Sequence, residues 1–244
     1  MSGAPTGRTG PTGWLRVRTS VVDRVLAVVL IPVLGPVIAF LAWRVRREDG
    51  PPSLIGLARV GATGTSFRMW KLRTMRVAHV GGSAGGAVIT SSDDQRITPL
   101  GRRLRRHRLD ELPQVVNVLR GEMGLLGPRP ETPSLVDAGD PRWQAVLAIR
   151  PGVSGPTQLV VERWEAATLA EGGHEDRYRV EVLPVKLAVD RWYVERASPW
   201  VDLVVAWSMV QRFLLGRTTT AVERLVRLEV PEVAVVPAAA VRHG

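Results

Sequence analysis

The sequence contains no cysteine, and it has only four histidines, at positions 79, 107, 174 and 243. Without cysteine, a disulfide scaffold, a thiolate zinc site and a cysteine nucleophile are all excluded. The histidines are too scattered along the chain to suggest a histidine-based metal cluster.

Arginine and apolar residues are abundant instead. The 33 Lys and Arg residues against 23 Asp and Glu residues leave a formal charge of +10. A hydrophobic fraction of 45% rules out a wholly disordered chain, and 244 residues suit one domain with tails. The excess of positive charge indicates an anionic partner, which is nucleic acid, a phosphate-bearing substrate or an anionic membrane face. Composition alone leaves all three open.

One long apolar stretch occurs, over residues 25–43. As a straight helix it would be about 28 Å long, just enough to span a bilayer. Pro32 and Pro36, with Gly35 between them, predict a break in the middle, and arginines flank both ends. A helix-break-helix that enters and leaves by one face satisfies both observations. We therefore favour a re-entrant membrane anchor over residues 21–46 to a single spanning helix, and a signal peptide is disfavoured because no cleavage pattern follows.

The rest of the sequence predicts a mainly helical α+β protein. Residues 1–20 are interpreted as a disordered basic tail, 47–217 as one compact domain and 218–244 as a flexible tail. Two apolar runs, 54–60 and 65–72, flank a glycine-containing turn and predict a β-hairpin.

Further elements follow from caps and breakers. Thr98 before a proline predicts a helix start, and Gly121 predicts the end of the following helix. Helical patterns cover 177–196 and 200–215, whereas the glycine-rich stretch 80–92 predicts a flexible loop. The tryptophans of the two late helices suit a membrane interface or core packing equally well; they are Trp192, Trp200 and Trp207.

The densest chemical signal lies in residues 93–130. An arginine-rich helix leads into the adjacent carboxylates Asp110 and Glu111, and Arg129 follows in a loop of prolines and glycines. The planar fork of arginine suits phosphate oxygens, and backbone donors at a helix N-terminus also attract phosphate. A phosphorylated substrate could therefore dock beside a carboxylate that attacks it or binds its metal.

Each of these features also has a plainer explanation. Asp110 and Glu111 could cap a helix, and the arginines could form a solvated face or grip anionic lipid headgroups. Two functional classes remain, a membrane-bound enzyme acting on phosphate esters and a membrane-tethered nucleic-acid binder. The enzyme is favoured because the basic helix has no aromatic residue and runs into two carboxylates that would repel a phosphate backbone. We expect no nucleic-acid partner.

On these residues the chain resembles the bacterial sugar transferases, the monotopic polyprenyl-phosphate phosphoglycosyltransferases. The resemblance covers about residues 21–216, and its long central motif is highly specific. It rests on the apolar segment that begins at Asp23 and contains Gly35-Pro36, and on RVG at 59–61, KLRTM at 71–75, DDQRITPLGRRLRR at 93–106, LDELPQVVNVLRGEMGLLGPRPE at 109–131, RPGVSG at 150–155 and DRWYVERASPWVDL at 190–203.

The resemblance implies an enzyme of the bacterial cytoplasmic membrane with its catalytic domain, 47–217, on the cytoplasmic face. Such an enzyme transfers a sugar-1-phosphate from a UDP-sugar to polyprenyl (undecaprenyl) phosphate with Mg2+ and releases UMP, which begins exopolysaccharide or other glycan assembly. Asp110 would be the nucleophile that forms a covalent phosphosugar intermediate. Asp110 and Glu111 would bind or position the metal. Membrane lipid is a further partner, and a homo-oligomer is compatible with the resemblance.

The resemblance also implies roles for further residues, and the chain departs from the family pattern in two places. Phosphate or nucleotide contacts fall to Lys71, Arg73, Arg105, Arg129 and Arg150, and the membrane kink falls at Gly35 and Pro36. Arg108 stands where the family usually has a hydroxyl residue, and residues 156–174 diverge in a region that could help to select the sugar. These departures motivate one alternative, a catalytically impaired relative that serves as a membrane scaffold or tether.

Overall fold

The structure, a computed structural model, describes residues 13–76, 94–170, 174–213, 215 and 221–237. This part of the chain is mainly helical and contains two small two-stranded sheets, as the sequence predicts. The glycine-rich loop predicted at 80–92 lies outside the described residues.

A long helical segment opens the described chain. Helix α1 (Gly13–Val17), a π-helical turn (Arg18–Val22) and helix α2 (Asp23–Asp49) follow one another without a gap. Gly35 and both prolines lie inside α2, which runs as one continuous helix. The predicted helix break at Gly35 and Pro36 is therefore absent. The combined helix is long and apolar enough to cross a membrane, by length and composition.

Packing against the domain explains why α2 continues through its prolines. One face of the helix contacts the domain both before and after Pro32 and Pro36, so both halves are held. The contacting residues recur every three or four positions, as one helix face requires; they are Ala27, Ile31, Leu34, Ile38, Leu41, Ala42 and Val45.

The opposite face of α2 is apolar and exposed. Its exposed side chains include Val25, Val29, Val33, Val37, Phe40 and Trp43. A second exposed apolar stripe lies on helix α10 (Pro199–Phe213), where Trp200, Leu203 and Trp207 face outward, whereas Trp192 is buried. Contiguous apolar surfaces of this kind mark interaction sites.

The residues just before α2 are part of the fold. Arg18 is buried and donates to Asp202 Oδ2 and to the Leu126 carbonyl, each at 2.6 Å. The indole nitrogen of Trp14 donates to the same carboxylate at 2.7 Å. Residues 13–20 are therefore helical and anchored by buried polar contacts, which corrects the predicted tail over 1–20 for this stretch.

The predicted β-hairpin is present. Strands β1 (Leu54–Val60) and β2 (Ser66–Leu72) pair antiparallel, with Leu54 opposite Leu72 and Val60 opposite Ser66. A short 3-10 turn (Ala62–Gly64) joins them. β2 places Lys71 beside the segment that carries the two adjacent carboxylates.

The first central helix begins, and the second ends, where the sequence predicts. Helix α3 (Pro99–Arg106) is capped by Thr98, whose Oγ1 accepts a hydrogen bond from the Gly101 amide at 2.9 Å. A 3-10 helix (Leu109–Gln114) and helix α4 (Val115–Arg120) follow, and α4 ends at Gly121 with φ of 74°.

Two loops of the sequence motifs form a second sheet that was not foreseen. Strands β3 (Gly124–Leu126) and β4 (Gly152–Ser154) are parallel, with Gly124 opposite Gly152. The backbones meet closely: a Cβ on Gly152 would lie 2.1 Å from the Gly127 nitrogen. Glycine is required here because any side chain would push the two loops apart.

The C-terminal helices build the largest core and one wall of the site. The last helix and the turn after it bury Val222, Val226 and Val233 in that core, which corrects the flexible tail predicted over 218–244 for residues 221–237. The remaining helices are α5 (Pro141–Leu147), α6 (Pro156–Val160), α7 (Glu162–Ala170), α8 (His174–Arg177), α9 (Leu183–Arg196) and α11 (Ala221–Glu229).

Candidate active site

Asp110 and Glu111 point inward from the start of the 3-10 helix. Arg108, just before them, adopts a left-handed backbone with φ of 52°, which is uncommon for a residue other than glycine and turns the chain sharply after α3. The two acids are only 3% and 6% exposed. Neither side chain caps the helix, so the plainer explanation of the pair as capping residues does not hold.

Three basic side chains surround the two carboxylates. Lys71 Nζ lies 3.0 Å from Asp110 Oδ2 and 3.2 Å from Glu111 Oε1. Arg129 Nη2 lies 2.6 Å from Glu111 Oε1, and Arg108 Nη1 lies 3.3 Å from Glu111 Oε2. Glu111 therefore forms ion pairs with all three basic side chains, and Lys71 also forms one with Asp110.

This arrangement keeps Glu111 and Arg129 ionised. Burial of the Glu111 carboxyl raises its pKa, but Arg129, Lys71 and Arg108 outweigh burial and hold the pKa well below its usual value. Burial of Arg129 lowers its pKa, and Glu111 outweighs this and leaves the pKa above its ordinary value. The site carries fixed charges at neutral pH.

Two adjoining cavities meet at these residues. One, of about 400 Å3, extends from Asp110 and Glu111 towards α7 and α9. The other, of about 510 Å3, lies under the β-hairpin and has apolar walls that include Ile55, Leu72 and Met75. Both volumes fall in the usual range of small-molecule sites, about 300–1,000 Å3. The residues that line both cavities are Leu57, Arg59, Lys71, Arg105, Asp110 and Thr132.

Three of the five predicted phosphate-contact residues meet here, and two do not. Lys71, Arg105 and Arg129 line the cavity beside the carboxylates. Arg105 is oriented by Thr74, whose Oγ1 accepts from its Nε at 2.8 Å. Arg73 and Arg150 lie elsewhere, which corrects their assignment to the site.

Arg73 and Arg150 hold the long helical segment instead. Arg73 Nη2 donates to the carbonyl oxygens of Asp49 and Gly50 at 2.7 and 2.8 Å, at the end of α2. Arg150 Nη1 donates to the Thr19 carbonyl at 2.7 Å, before α2 begins. Both arginines satisfy backbone acceptors of that segment and have no place in the cavity lining.

Sequence reasoning missed several residues of the site. Arg108 was noted only as a departure, yet its guanidinium bridges Glu111 and Glu162 and so ties the motif segment to α7. Arg59 lines both cavities from the β-hairpin. Arg59 belongs to the RVG motif at 59–61 that contributes to the resemblance, but the motif assigns it no role.

The far wall of the 400 Å3 cavity is a buried polar network. Lys186 Nζ lies 2.7 Å from Glu131 Oε1 and donates to the Tyr178 hydroxyl at 2.6 Å. That hydroxyl donates to Glu131 Oε1 at 2.5 Å. Burial raises the pKa of Glu131, but Lys186 outweighs it and leaves the pKa below its usual value. Glu165 reaches the same ammonium at 3.5 Å.

The described residues hold no group of three or more potential His, Cys, Asp or Glu metal ligands. Mg2+ commonly binds through one or two carboxylates and completes its shell with water and substrate phosphates. Asp110 and Glu111 fit a site of that kind. The three cations on Glu111 make Asp110 the better placed of the two for such a ligand role.

Comparison with known proteins agrees with the motifs. The sequence matches the family model described as "Bacterial sugar transferase" over residues 14–216. It is 31% identical over 197 residues to the UDP-N-acetylgalactosamine-undecaprenyl-phosphate N-acetylgalactosaminephosphotransferase of Aeromonas hydrophila, which covers 80% of this chain and 43% of that protein. The shared region is thus less than half of that longer relative.

Two further relatives match over more of their own length. The chain is 34% identical to the UDP-glucose:undecaprenyl-phosphate glucose-1-phosphate transferase of Caulobacter vibrioides, over 81% of this chain and 70% of that protein. It is 30% identical to the exopolysaccharide production protein ExoY of Sinorhizobium fredii, over 87% of this chain and 91% of that protein. Because the family model extends over most of the sequence, including both carboxylates and the arginines around them, the chain belongs to the bacterial sugar transferase family.

Proposed function

We propose that this protein transfers a sugar-1-phosphate from a UDP-sugar to undecaprenyl phosphate and releases UMP, as a first membrane step of exopolysaccharide or other glycan assembly. The observation that carries the proposal is one cavity in which Asp110 lies among basic side chains on a domain backed by an apolar helix. The names of the relatives, which act with undecaprenyl phosphate and UDP-sugars, support the same substrates.

The first half of the reaction uses Asp110 as the nucleophile. A carboxylate oxygen of Asp110 attacks the phosphorus that bears the sugar, the bond from that phosphorus to the bridging oxygen breaks, and UMP leaves with the electron pair. A carboxylate approaching a diphosphate is repelled unless cations neutralise the phosphates first. Lys71, Arg105 and Arg129 are placed to do so.

The second half regenerates the carboxylate. A phosphate oxygen of undecaprenyl phosphate attacks the same phosphorus, and the bond to Asp110 breaks. The product is the undecaprenyl diphosphate sugar. Division into two displacements lets a water-soluble donor and a lipid acceptor use one site in turn.

Mg2+ is part of the proposal. Asp110, supported by Glu111, would hold it with oxygens of the donor diphosphate, and the ion would supply charge neutralisation at the phosphates when bound. Glu111 keeps Arg129, Arg108 and Lys71 in position around that charge whether or not it contacts the ion.

The membrane side of the proposal rests on α2. Its inner face packs on Met69, Leu72 and Leu104, next to the elements that carry Lys71 and Asp110, and its outer face is apolar and exposed. A helix held along its length in this way lies in the interface, with both ends on the cytoplasmic side and the cavity near headgroup depth. The exposed Trp200 and Trp207 suit the same boundary.

Cysteine labelling tests the orientation cleanly because the chain has no native cysteine. Single cysteines at Ser2 and at Ser53 should both react with an impermeant reagent from the cytoplasmic side only. Labelling of the two positions from opposite sides would show a spanning helix and overturn this part of the proposal.

The alternative, an impaired scaffold, was motivated by Arg108 and by the divergent 156–174 segment. Arg108 contributes to the charged site through Glu111 and Glu162, and Asp110 is present with its cations. No observation on the site favours the scaffold.

The decisive experiment measures UMP release by the purified full-length protein with undecaprenyl phosphate, Mg2+ and a panel of UDP-sugars. We expect release to need the lipid for continued turnover, to need the metal, and to fall by about a thousandfold or more in Asp110→Asn. Asp140→Asn, an exposed acid outside the cavity, is the matched control. Equal release by Asp110→Asn and the wild type would contradict the proposal.

A further inference from the structure

The two ends of the 400 Å3 cavity differ in charge. Around Asp110 the lining is basic, with Lys71, Arg105 and Arg129. Towards α7 it becomes acidic, with Glu162 and Glu165, beside the hydroxyl of Tyr178. Phosphate groups are attracted to the first end and repelled from the second, so a donor that enters this cavity has its diphosphate fixed at Asp110.

The three glutamates at the α7 end of the cavity differ in the hydrogen-bond and ion-pair partners that they have. Glu131 is bound by Lys186 at 2.7 Å and by Tyr178 at 2.5 Å, and Glu162 is paired with Arg108. Glu165 has one contact with the described residues, Lys186 at 3.5 Å, which is longer than a normal hydrogen bond. Among the three glutamates it keeps the most acceptor capacity for a ligand.

A second side chain of the same cavity, Thr132, has a polar atom without a hydrogen-bond partner among the described residues. The Oγ1 atom of Thr132 is buried and makes no hydrogen bond with any described residue. Buried hydroxyls normally have a partner, so this one points to a group that arrives with a ligand. Thr132 lines both cavities and follows Glu131 in the chain.

We propose that the α7 end of the cavity is a sugar pocket in which Glu165 accepts hydrogen bonds from hydroxyl groups of an uncharged pyranose, and that it excludes sugars bearing a carboxylate. The inference deepens the proposed function and rests on it, because it assigns a location to the sugar of the UDP-sugar donor. Thr132, which lines the same cavity and has an unpaired Oγ1, supplies a further hydroxyl contact.

Charge and hydrogen-bond chemistry select the substrate class. A neutral sugar offers many hydroxyl donors, which two carboxylates and a threonine can accept. A uronic acid would bring a third negative charge next to Glu162 and Glu165 and be repelled by them, because Lys186 and Arg108 at this end are already paired with Glu131 and Glu162. Lys186 acts as a positioning residue that holds Glu131, Tyr178 and Glu165 together.

The test compares donor pairs that differ only by oxidation at C6. UMP release by the full-length protein is measured with UDP-glucose and UDP-glucuronate, and with UDP-galactose and UDP-galacturonate. We expect the wild type to prefer the neutral member of a pair in kcat/KM. Glu165→Gln, which keeps the shape and removes the charge, should narrow that preference by about tenfold. Glu195→Gln, an exposed glutamate paired with Arg191, should leave it unchanged.

Inhibition by UDP separates a sugar effect from damage to the site. UDP lacks the sugar, so its inhibition constant should be the same for the wild type and Glu165→Gln, and thermal unfolding should confirm that the variant is folded. A uronate used as well as its neutral partner by the wild type, or an unchanged preference in Glu165→Gln, would overturn the sugar pocket.

Direct binding distinguishes failure of the pocket from failure of the transferase. If no donor gives UMP, the proposed function fails, and calorimetry of UDP-glucose and UDP-glucuronate with the same proteins then decides the pocket. Tighter binding of the neutral donor that Glu165→Gln removes would support it. Equal binding of both donors to the wild type would contradict it.

Discussion

Glu111 is buried and Glu165 is half-buried in the same cavity, and their surroundings differ. Glu111 has three basic partners within 3.4 Å, Lys71, Arg108 and Arg129. Glu165 has Lys186 at 3.5 Å. The pKa of Glu111 is held below its usual value by those cations, whereas burial raises the pKa of Glu165 above its usual value.

The difference separates two tasks within one cavity. A carboxylate saturated with cations serves to hold them, so Glu111 organises the charges that meet a diphosphate. A carboxylate with few partners keeps acceptor capacity for a ligand, which suits a residue that contacts the sugar. The following expectations test whether the two ends really differ in this way.

Of the substitutions that test this difference, Glu111→Gln should cause the largest loss of UMP release and of unfolding free energy. Removal of one charge leaves three cations around a neutral amide, so we expect UMP release to fall by about a hundredfold and the free energy of unfolding to fall by about 3 kcal/mol. Glu165→Gln should change the free energy of unfolding by less than about 1 kcal/mol, because it has one weak contact. Denaturant unfolding measures both, and equal losses would remove the distinction.

Gly152→Ala tests how the basic end is built. The new methyl would meet the Gly127 nitrogen at 2.1 Å and separate the loops that carry Arg129. We expect a loss of about 2 kcal/mol in the free energy of unfolding and a fall in UMP release. Gly35→Ala, which has nothing within 4 Å of its new methyl, is the control and should be neutral or stabilising by up to about 1 kcal/mol. Equal effects of the two changes would show that the loop contact is not important.

The pH dependence of stability should differ between the two ends. The lowered pKa of Glu111 gives stability that is present above its ordinary value of 4.5 and is lost as the pH falls. Behind the acidic wall, burial raises the pKa of Asp190 to about 7, so its contribution is full below its ordinary value of 3.8 and is lost as the pH rises towards 7.

Asp190→Asn isolates the second contribution. Asparagine keeps an acceptor for the Thr157 hydroxyl and cannot ionise. We expect the wild type to lose about 3 kcal/mol of unfolding free energy between pH 4 and pH 7 from this group, and the variant to be flatter over that window. A variant with the same pH profile as the wild type would show that Asp190 has an ordinary pKa.

Arg108→Ser should have the smallest effect. The family usually has a hydroxyl residue at this position, and Glu111 keeps Arg129 and Lys71 in the variant. We expect UMP release to fall about three- to tenfold, mainly through a higher KM, because Glu162 loses its link to the motif segment. A loss as large as that of Glu111→Gln would make Arg108 essential to the basic end.

Much of the basic end could be predicted from the sequence because local rules and a specific motif coincide there. Thr98 and Gly121 delimit their helices, and the Asp110–Glu111 pair with Arg105 and Arg129 lies in one continuous segment. The hairpin that brings Lys71 was also predictable, since two apolar runs flank a turn.

The acidic end could not be predicted in the same way. Glu165 lies on α7, whereas Tyr178 and Lys186 lie on the continuous helical segment 174–196, so tertiary packing alone brings Glu165 to the other two. Arg73 and Arg150 were misplaced for the converse reason: they belong to motifs of the site but their side chains reach the backbone at the two ends of α2. The prediction of a helix break at Gly35 and Pro36 was wrong because the domain packs against α2 on both sides of the prolines.

The most direct test of the central claim, that Asp110 is the nucleophile, is mass spectrometry of the protein after incubation with a UDP-sugar and Mg2+ but no undecaprenyl phosphate. We expect release of about one UMP per protein molecule, and a peptide containing Asp110 heavier by one sugar phosphate, with neither seen in Asp110→Asn. A protein that completes the full reaction with the lipid, yet releases no UMP and carries no adduct without it, would contradict the account.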